Sequence, residues 1–129
     1  AEQAAAVDIR ALERFLDTSL AEEIRRGEHV LREYRFALLL EARAYDPQAA
    51  EGEEMLMQGV VDCCYERDGE LTVVDFKTDH VQTAEDIRRR AEHYRPQLEA
   101  YSRALERVLE KPVGRRVLYF LYPGKDVEV

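Results

Sequence analysis

The sequence predicts an α/β domain in which a mixed β-sheet is flanked by helices, in the order α-β-β-β-α-β. Three observations carry this: an amphipathic helical repeat near the start, an Asp68-Gly69 hairpin signal in the middle, and a second long helical stretch before the last strand. A strand reached only through a helix has no tight turn to its predecessor, so at least one strand pair should be parallel. The length of 129 residues suits one such domain.

Asp8 reads as the N-cap of a helix from about Ile9 to Arg26, in which Leu12, Phe15, Leu16, Leu20 and Ile24 recur at helical spacing; Gly27 is its stop. From His29 to about Ala42 the β-branched and aromatic content predicts a strand, although the run Phe36 to Leu40 fits either element. Tyr45 to Glu54, with Asp46-Pro47 and Gly52, reads as a loop. Met55 to Tyr65 and Leu71 to Lys77 are two strands joined through Glu66-Arg67-Asp68-Gly69-Glu70. Thr83 followed by Asp86 resembles a capping box and opens a helix from Ala84 to about Glu110, with a kink expected near Pro96. Lys111-Pro112-Val113-Gly114 breaks it, and Arg116 to Tyr122 forms the last strand before a turn at Pro123-Gly124.

Composition narrows the function. No apolar stretch approaches the roughly 20 residues that cross a bilayer, so a membrane role is not expected. Ala-Glu-Gln-Ala-Ala-Ala-Val-Asp lacks the features of a secretory signal and starts without Met, which suggests a piece of a larger chain. Cys63 and Cys64 are adjacent and are the only cysteines, giving neither a disulfide framework nor the four ligands of an iron–sulfur cluster; a reducing, cytoplasmic setting is expected. No GxxxxGK[ST] loop occurs, so this chain should not hydrolyse ATP. The formal charge of −8 opposes binding to phosphate, unless the acidic excess itself serves to hold cations.

The chemistry gathers on the hairpin. Asp75 and Lys77 are two apart in a strand and project from one face. Centring the turn between residues 68 and 69 sets Asp62 opposite Asp75, and two like charges so placed repel unless a positive group sits between them. A magnesium ion suits that position, since it takes one or two carboxylates and keeps several waters. A bare Asp-x-Lys is commonly an ordinary ion pair; here it sits in an ordered set, Gly59-Val-Val-Asp62, a short hairpin, then Val-Asp75-Phe-Lys77-Thr-Asp79. Tyr94, Gln97 and Tyr101 follow, three and four apart on one helix face.

These motifs, GxxD, D-F-K and QxxxY, resemble the RecB-type branch of the PD-(D/E)XK nucleases over nearly the whole chain. Arg32-Glu33-Tyr-Arg-Phe36, Gln58-Gly59 and Leu118-Tyr-Phe120 fit in particular the nuclease domains of AddAB/RecBCD-like helicase–nucleases. The resemblance implies a restriction-endonuclease-like core spanning residues 1–129 and forming the C-terminal part of a larger chain. It implies a deoxyribonuclease that uses Mg2+ or Mn2+ to hydrolyse phosphodiester bonds during double-strand break repair by recombination. Its partners would be DNA, the rest of the helicase chain and a second subunit. Asp62, Asp75 and the Phe76 carbonyl would hold metal, with Glu33 as a further acidic ligand; Lys77 would orient the attacking water, and Gln97 and Tyr101 would position Lys77 or the DNA backbone. The sequence departs from the family at a metal-binding histidine on an upstream helix: His29, His80 and His93 do not match it and read as structural or surface residues. Alternatives are a nuclease-fold scaffold that is inactive as an isolated fragment, and a Cas4-like exonuclease, whose cysteine quartet is absent. Arg88-Arg89-Arg90, Arg103, Arg107, Lys111, Arg115 and Arg116 are either phosphate contacts or solvated faces.

Overall fold

A computed structural model describes residues 9–129, so the expected cap at Asp8 lies outside the described residues. The expected first helix is two: α1, Ile9–Leu16, and α2, Ser19–Arg26. The break is at Thr18, whose backbone is extended (φ −80°, ψ 158°) and whose hydroxyl accepts from the Ala21 N–H at 3.1 Å while donating to the Phe15 carbonyl at 2.6 Å. A threonine in this position caps a helix better than it continues one, because its hydroxyl satisfies backbone groups left unpaired at the ends. The change of direction lets α2 bury Leu20, Ala21 and Ile24, whereas α1 buries only Ala11 among its described residues. Gly27 ends α2 as expected.

The strands follow as β1 (Glu28–Glu41), a single 3-10 turn at Ala42–Ala44, β2 (Glu54–Arg67), β3 (Glu70–Lys77), helix α3 (Ala84–Leu109), β4 (Val113–Phe120) and β5 (Lys125–Glu128). They form one sheet in the order β1-β2-β3-β4-β5, with β3 and β4 parallel across the α3 crossover and the other pairs antiparallel. The β2–β3 turn has positive φ at Asp68 (52°) and Gly69 (81°), the backbone that a two-residue type I′ turn requires. Thr83 caps α3 by accepting from the Asp86 N–H at 3.1 Å, and α3 spans Pro96 without interruption. The last strand starts at Val113, earlier than expected, and β5 was not anticipated; its Lys-Asp-Val-Glu offers too little apolar alternation to register as a strand.

Helices α1 and α2 cover one face of the sheet, where Leu20 and Ile24 pack with Cys63, Tyr65, Val74, Val117 and Tyr119. Helix α3 covers the other, where Ala104 and Leu105 pack with Cys64, Leu71, Val73 and Phe36. Alternation explains why Cys63 and Cys64 face opposite helices. Both thiols are free and buried, and burial pushes the Cys64 thiol up to about 12. The alternation inverts one residue further on. Val61, two residues before Cys63, packs with the α3 cluster instead of the α2 cluster. On β1, Tyr34 packs with the α3 cluster while Arg32 lines the same cleft as Ile24. The pairs Arg32↔Cys63 and Tyr34↔Val61 put the inversion at Glu33 and Asp62, which face each other, and Glu33 has φ 48°.

Among the described residues no helix is long and apolar enough to cross a membrane.

Candidate active site

The β2–β3 ladder runs from Arg67↔Glu70 to Cys63↔Val74, and one more step of the same register sets Asp62 opposite Asp75. There the two strands stop pairing. β3 stays with β4 through Asp75↔Leu118, Phe76↔Tyr119 and Lys77↔Phe120, and the Asp62 carboxylate takes the place of the missing ladder bond by accepting from the Phe76 N–H at 2.8 Å. The N–H and C=O of a strand residue project toward the same neighbour, so the Phe76 carbonyl also faces the Asp62 side. The Lys77 carbonyl faces the other way and accepts from Leu121 N at 2.9 Å.

Burial is the main force raising the Asp62 carboxyl, to about 7 from the ordinary 3.8. Hydrogen bonding to the Asp75 carboxylate and repulsion from it add to the rise, while the Phe76 N–H and the Lys77 ammonium oppose it. Lys77 Nζ lies 2.7 Å from Asp75 Oδ2, and each of these side chains is only 17% exposed. Two carboxylates and one ammonium therefore share a half-buried site, and Asp62 keeps a proton where no second cation is at hand.

Glu33, opposite Asp62, lines with it a cleft of ≈ 920 Å³ whose other wall is apolar, including Leu12, Phe15 and Ile24. Among the described residues no group of three His, Cys, Asp or Glu side chains is gathered closely enough to hold a metal by itself. Asp62, Asp75 and the Phe76 carbonyl still offer hard oxygen atoms, with Glu33 across the cleft. That donor set fits a divalent cation that retains several waters, such as Mg2+, and does not fit one needing four nitrogen or sulfur ligands. The proton on Asp62 marks where positive charge is wanted.

On α3 the three residues of one face separate in role. Tyr94 meets Lys77, with Nζ 3.9 Å from the ring centroid. Gln97 Nε2 lies 3.4 Å from the Tyr101 hydroxyl. Tyr101 stands edge-on to Phe36, with ring centroids 5.1 Å apart, and lies on the backbone of Gly59; a Cβ there would come within 2.6 Å of Tyr101 Cζ. Gln97 and Tyr101 thus sit on the strand that carries Asp62, and Tyr94 is the member of the trio that touches Lys77. The signal for Tyr94 was its spacing; its contact with a strand end could not be read from helix periodicity. Arg90 and Asp79 are further residues of the site: Arg90 Nε donates to Asp79 Oδ2 at 2.8 Å.

His29 lies 3.9 Å from Glu66 and is mostly exposed, His80 stacks on Tyr122 and His93 meets Tyr94 edge-on. Much of the basic series is compensated: Arg89 pairs with Glu85, Lys111 with Glu66, and Arg115 with Glu23 and Glu128.

The sequence profile of the PD-(D/E)XK nuclease superfamily matches residues 1–128. The ATP-dependent helicase/nuclease AddA of Thermoanaerobacter sp. (strain X514) is 35% identical over 130 residues, which cover 98% of this chain and 10% of that protein. The proteins of the same name from Bacillus cereus (strain AH187) and Heliobacterium modesticaldum (strain ATCC 51547 / Ice1) are 37% and 34% identical, over 98% of this chain and 11% and 9% of theirs. The chain thus spans about a tenth of the length of these relatives. A solved structure titled "Crystal structure of SSO0001" superposes with a TM-score of 0.56 at 16% identity, covering 100% of this chain and 51% of that one, which speaks for the fold alone.

Proposed function

The chain belongs to the PD-(D/E)XK nuclease superfamily, and from that premise we propose that it is the Mg2+-dependent DNA nuclease domain of a helicase–nuclease. One observation carries the reading: Asp62, Asp75 and Lys77, from two strands, meet where the β2–β3 ladder ends. In this reading residues 1–129 form the C-terminal nuclease domain of a longer chain that acts on DNA with a second subunit in recombinational repair, in the cytoplasm.

Asp62, Asp75 and the Phe76 carbonyl are the residues that would hold Mg2+ or Mn2+, with Glu33 from across the cleft. A divalent cation there supplies Lewis-acid stabilisation of phosphate charge and lowers the pKa of a water. Asp62 must give up its proton to serve as a ligand, and burial beside Asp75 makes that loss favourable only when positive charge arrives. Lys77, held by Asp75, has N–H groups to orient a water or to meet negative charge growing on a phosphate oxygen. Gln97 and Tyr101 support the Asp62 strand through Gly59 and are available to the DNA backbone.

Asp75→Ala and Lys77→Ala should each lower Mg2+-dependent cutting of linear DNA by at least about 10²-fold while the protein stays folded. Cutting that persists in both variants would remove the site from these residues. A second reading, a nuclease-fold module without activity of its own, draws on the lack of a third close metal-binding side chain among the described residues. Isothermal titration of Mg2+ separates the two: heat that disappears in the Asp62→Ala, Asp75→Ala double variant supports the nuclease, and no heat in either protein supports the module.

A further inference from the structure

Building on the nuclease reading of Lys77, we infer that Tyr94 is the positioning residue for its ammonium, and that Asp79 and Arg90 fix Tyr94 in turn. A lysine carries a flexible four-carbon stem and three N–H donors, so a single ion pair leaves its head free to swing. The pair with Asp75 is that single restraint, and Asp75 is also a proposed metal ligand whose oxygens have a competing use. The face of an aromatic ring attracts the ammonium without engaging either carboxylate. Tyr94 supplies that face, 3.9 Å from Nζ.

The ring is held at its far end. Its hydroxyl lies 3.0 and 3.1 Å from the two Asp79 carboxylate oxygens and accepts from Arg90 Nη2 at 3.0 Å. Arg90 Nε closes the triangle on Asp79 Oδ2 at 2.8 Å, and the Asp79 side chain is only 15% exposed. Asp79 lies two residues beyond Lys77 on the segment leaving β3, while Arg90 lies one turn before Tyr94 on α3. The triangle therefore ties the exit of the strand to the helix and aims the ring at the ammonium between them. A purely structural role is the rival, since Tyr94 also packs against the cluster of Ile87, Ala91 and Leu98.

Tyr94→Phe keeps the ring face, and Tyr94→Leu keeps apolar bulk while removing it. In single-turnover cleavage with Mg2+, Tyr94→Leu should slow the chemical step by about 10- to 30-fold with KM unchanged, and Tyr94→Phe by no more than about 3-fold. In nuclear magnetic resonance spectra the Lys77 ε-methylene protons should be shifted upfield by the ring in the native protein and in Tyr94→Phe, and lie at solvent-exposed positions in Tyr94→Leu. Equal slowing by Phe and Leu overturns the inference, as does a Lys77 signal without an upfield shift in the native protein. The spectrum needs no cleavage, so the two readings fail separately. An upfield shift lost in Tyr94→Leu, with cutting indifferent to Asp75→Ala, supports the placement of Lys77 by Tyr94 and sinks the nuclease reading.

Discussion

The two ends of the β2–β3 hairpin obey opposite rules. At the turn, each local preference agrees with the fold: Asp68 and Gly69 take the positive φ that the turn needs, Arg67 faces Glu70 across the ladder, and the charges beside it find partners, Glu66 with Lys111 and Arg67 with Glu23. At the other end Asp62 faces Asp75, a protonated carboxyl replaces a ladder bond, and across β2 a non-glycine residue, Glu33, is held at φ 48°. Backbone in that region and buried like charges cost free energy, and they persist only where surrounding structure over-determines them. The ordered turn end, with Val73, Val74, Cys64 and Tyr65 fully buried, supplies that surrounding structure. A single hairpin thus separates the part that folds from the part available for chemistry.

The largest way to sharpen this contrast is at a glycine of the site end. Gly59→Val should destabilise the protein by about 2–3 kcal/mol in urea unfolding, because the added atoms meet the Tyr101 ring. A change below about 0.5 kcal/mol would show that Tyr101 moves aside freely and does not brace the Asp62 strand. Next comes Asp62→Asn, which should stabilise the metal-free protein by about 1–2 kcal/mol at pH 8 after discounting for the solvent that reaches the site, even as cutting is lost. The sign follows from a folded-state carboxyl raised above its ordinary 3.8: the native state binds the proton more tightly than the unfolded chain, so this stability is present below about pH 4 and drains away as pH rises to about 7. Melting temperatures of the native protein and the variant should converge near pH 4 and part by pH 8, and Mg2+ should close the gap; a gap independent of pH would break the comparison. Smallest is Gly69→Ala at the turn end, expected to cost about 1 kcal/mol through φ 81° alone and to leave cutting unchanged in the folded protein.

The same contrast explains what the sequence disclosed. The turn, the opposition of residues 62 and 75, the Thr83 cap and the parallel pair follow from spacing and backbone chemistry, which act over a few residues. The break at Thr18 was hidden because Leu12, Phe15, Leu16, Leu20 and Ile24 keep helical spacing straight through it. β5 was hidden because its pairing with β4 places four mostly polar residues in a strand. The inversion at Glu33 and Asp62 changes no letter in the alternating pattern that a strand would show, and Glu33 entered only through family resemblance. Tyr94 shared a face with Gln97 and Tyr101, but which of the three meets Lys77 depends on how α3 docks on the sheet.

The adjacent cysteines give the domain an internal clock. Cys63 and Cys64 stand next to Asp62 on β2, 4% and 0% exposed, and burial raises both thiols, so the thiolate that alkylating reagents attack is scarce in the native state. Modification has to wait for the strands to part. Its rate therefore measures how often the interior of the sheet opens beside its carboxylate end, and it does so without any added label.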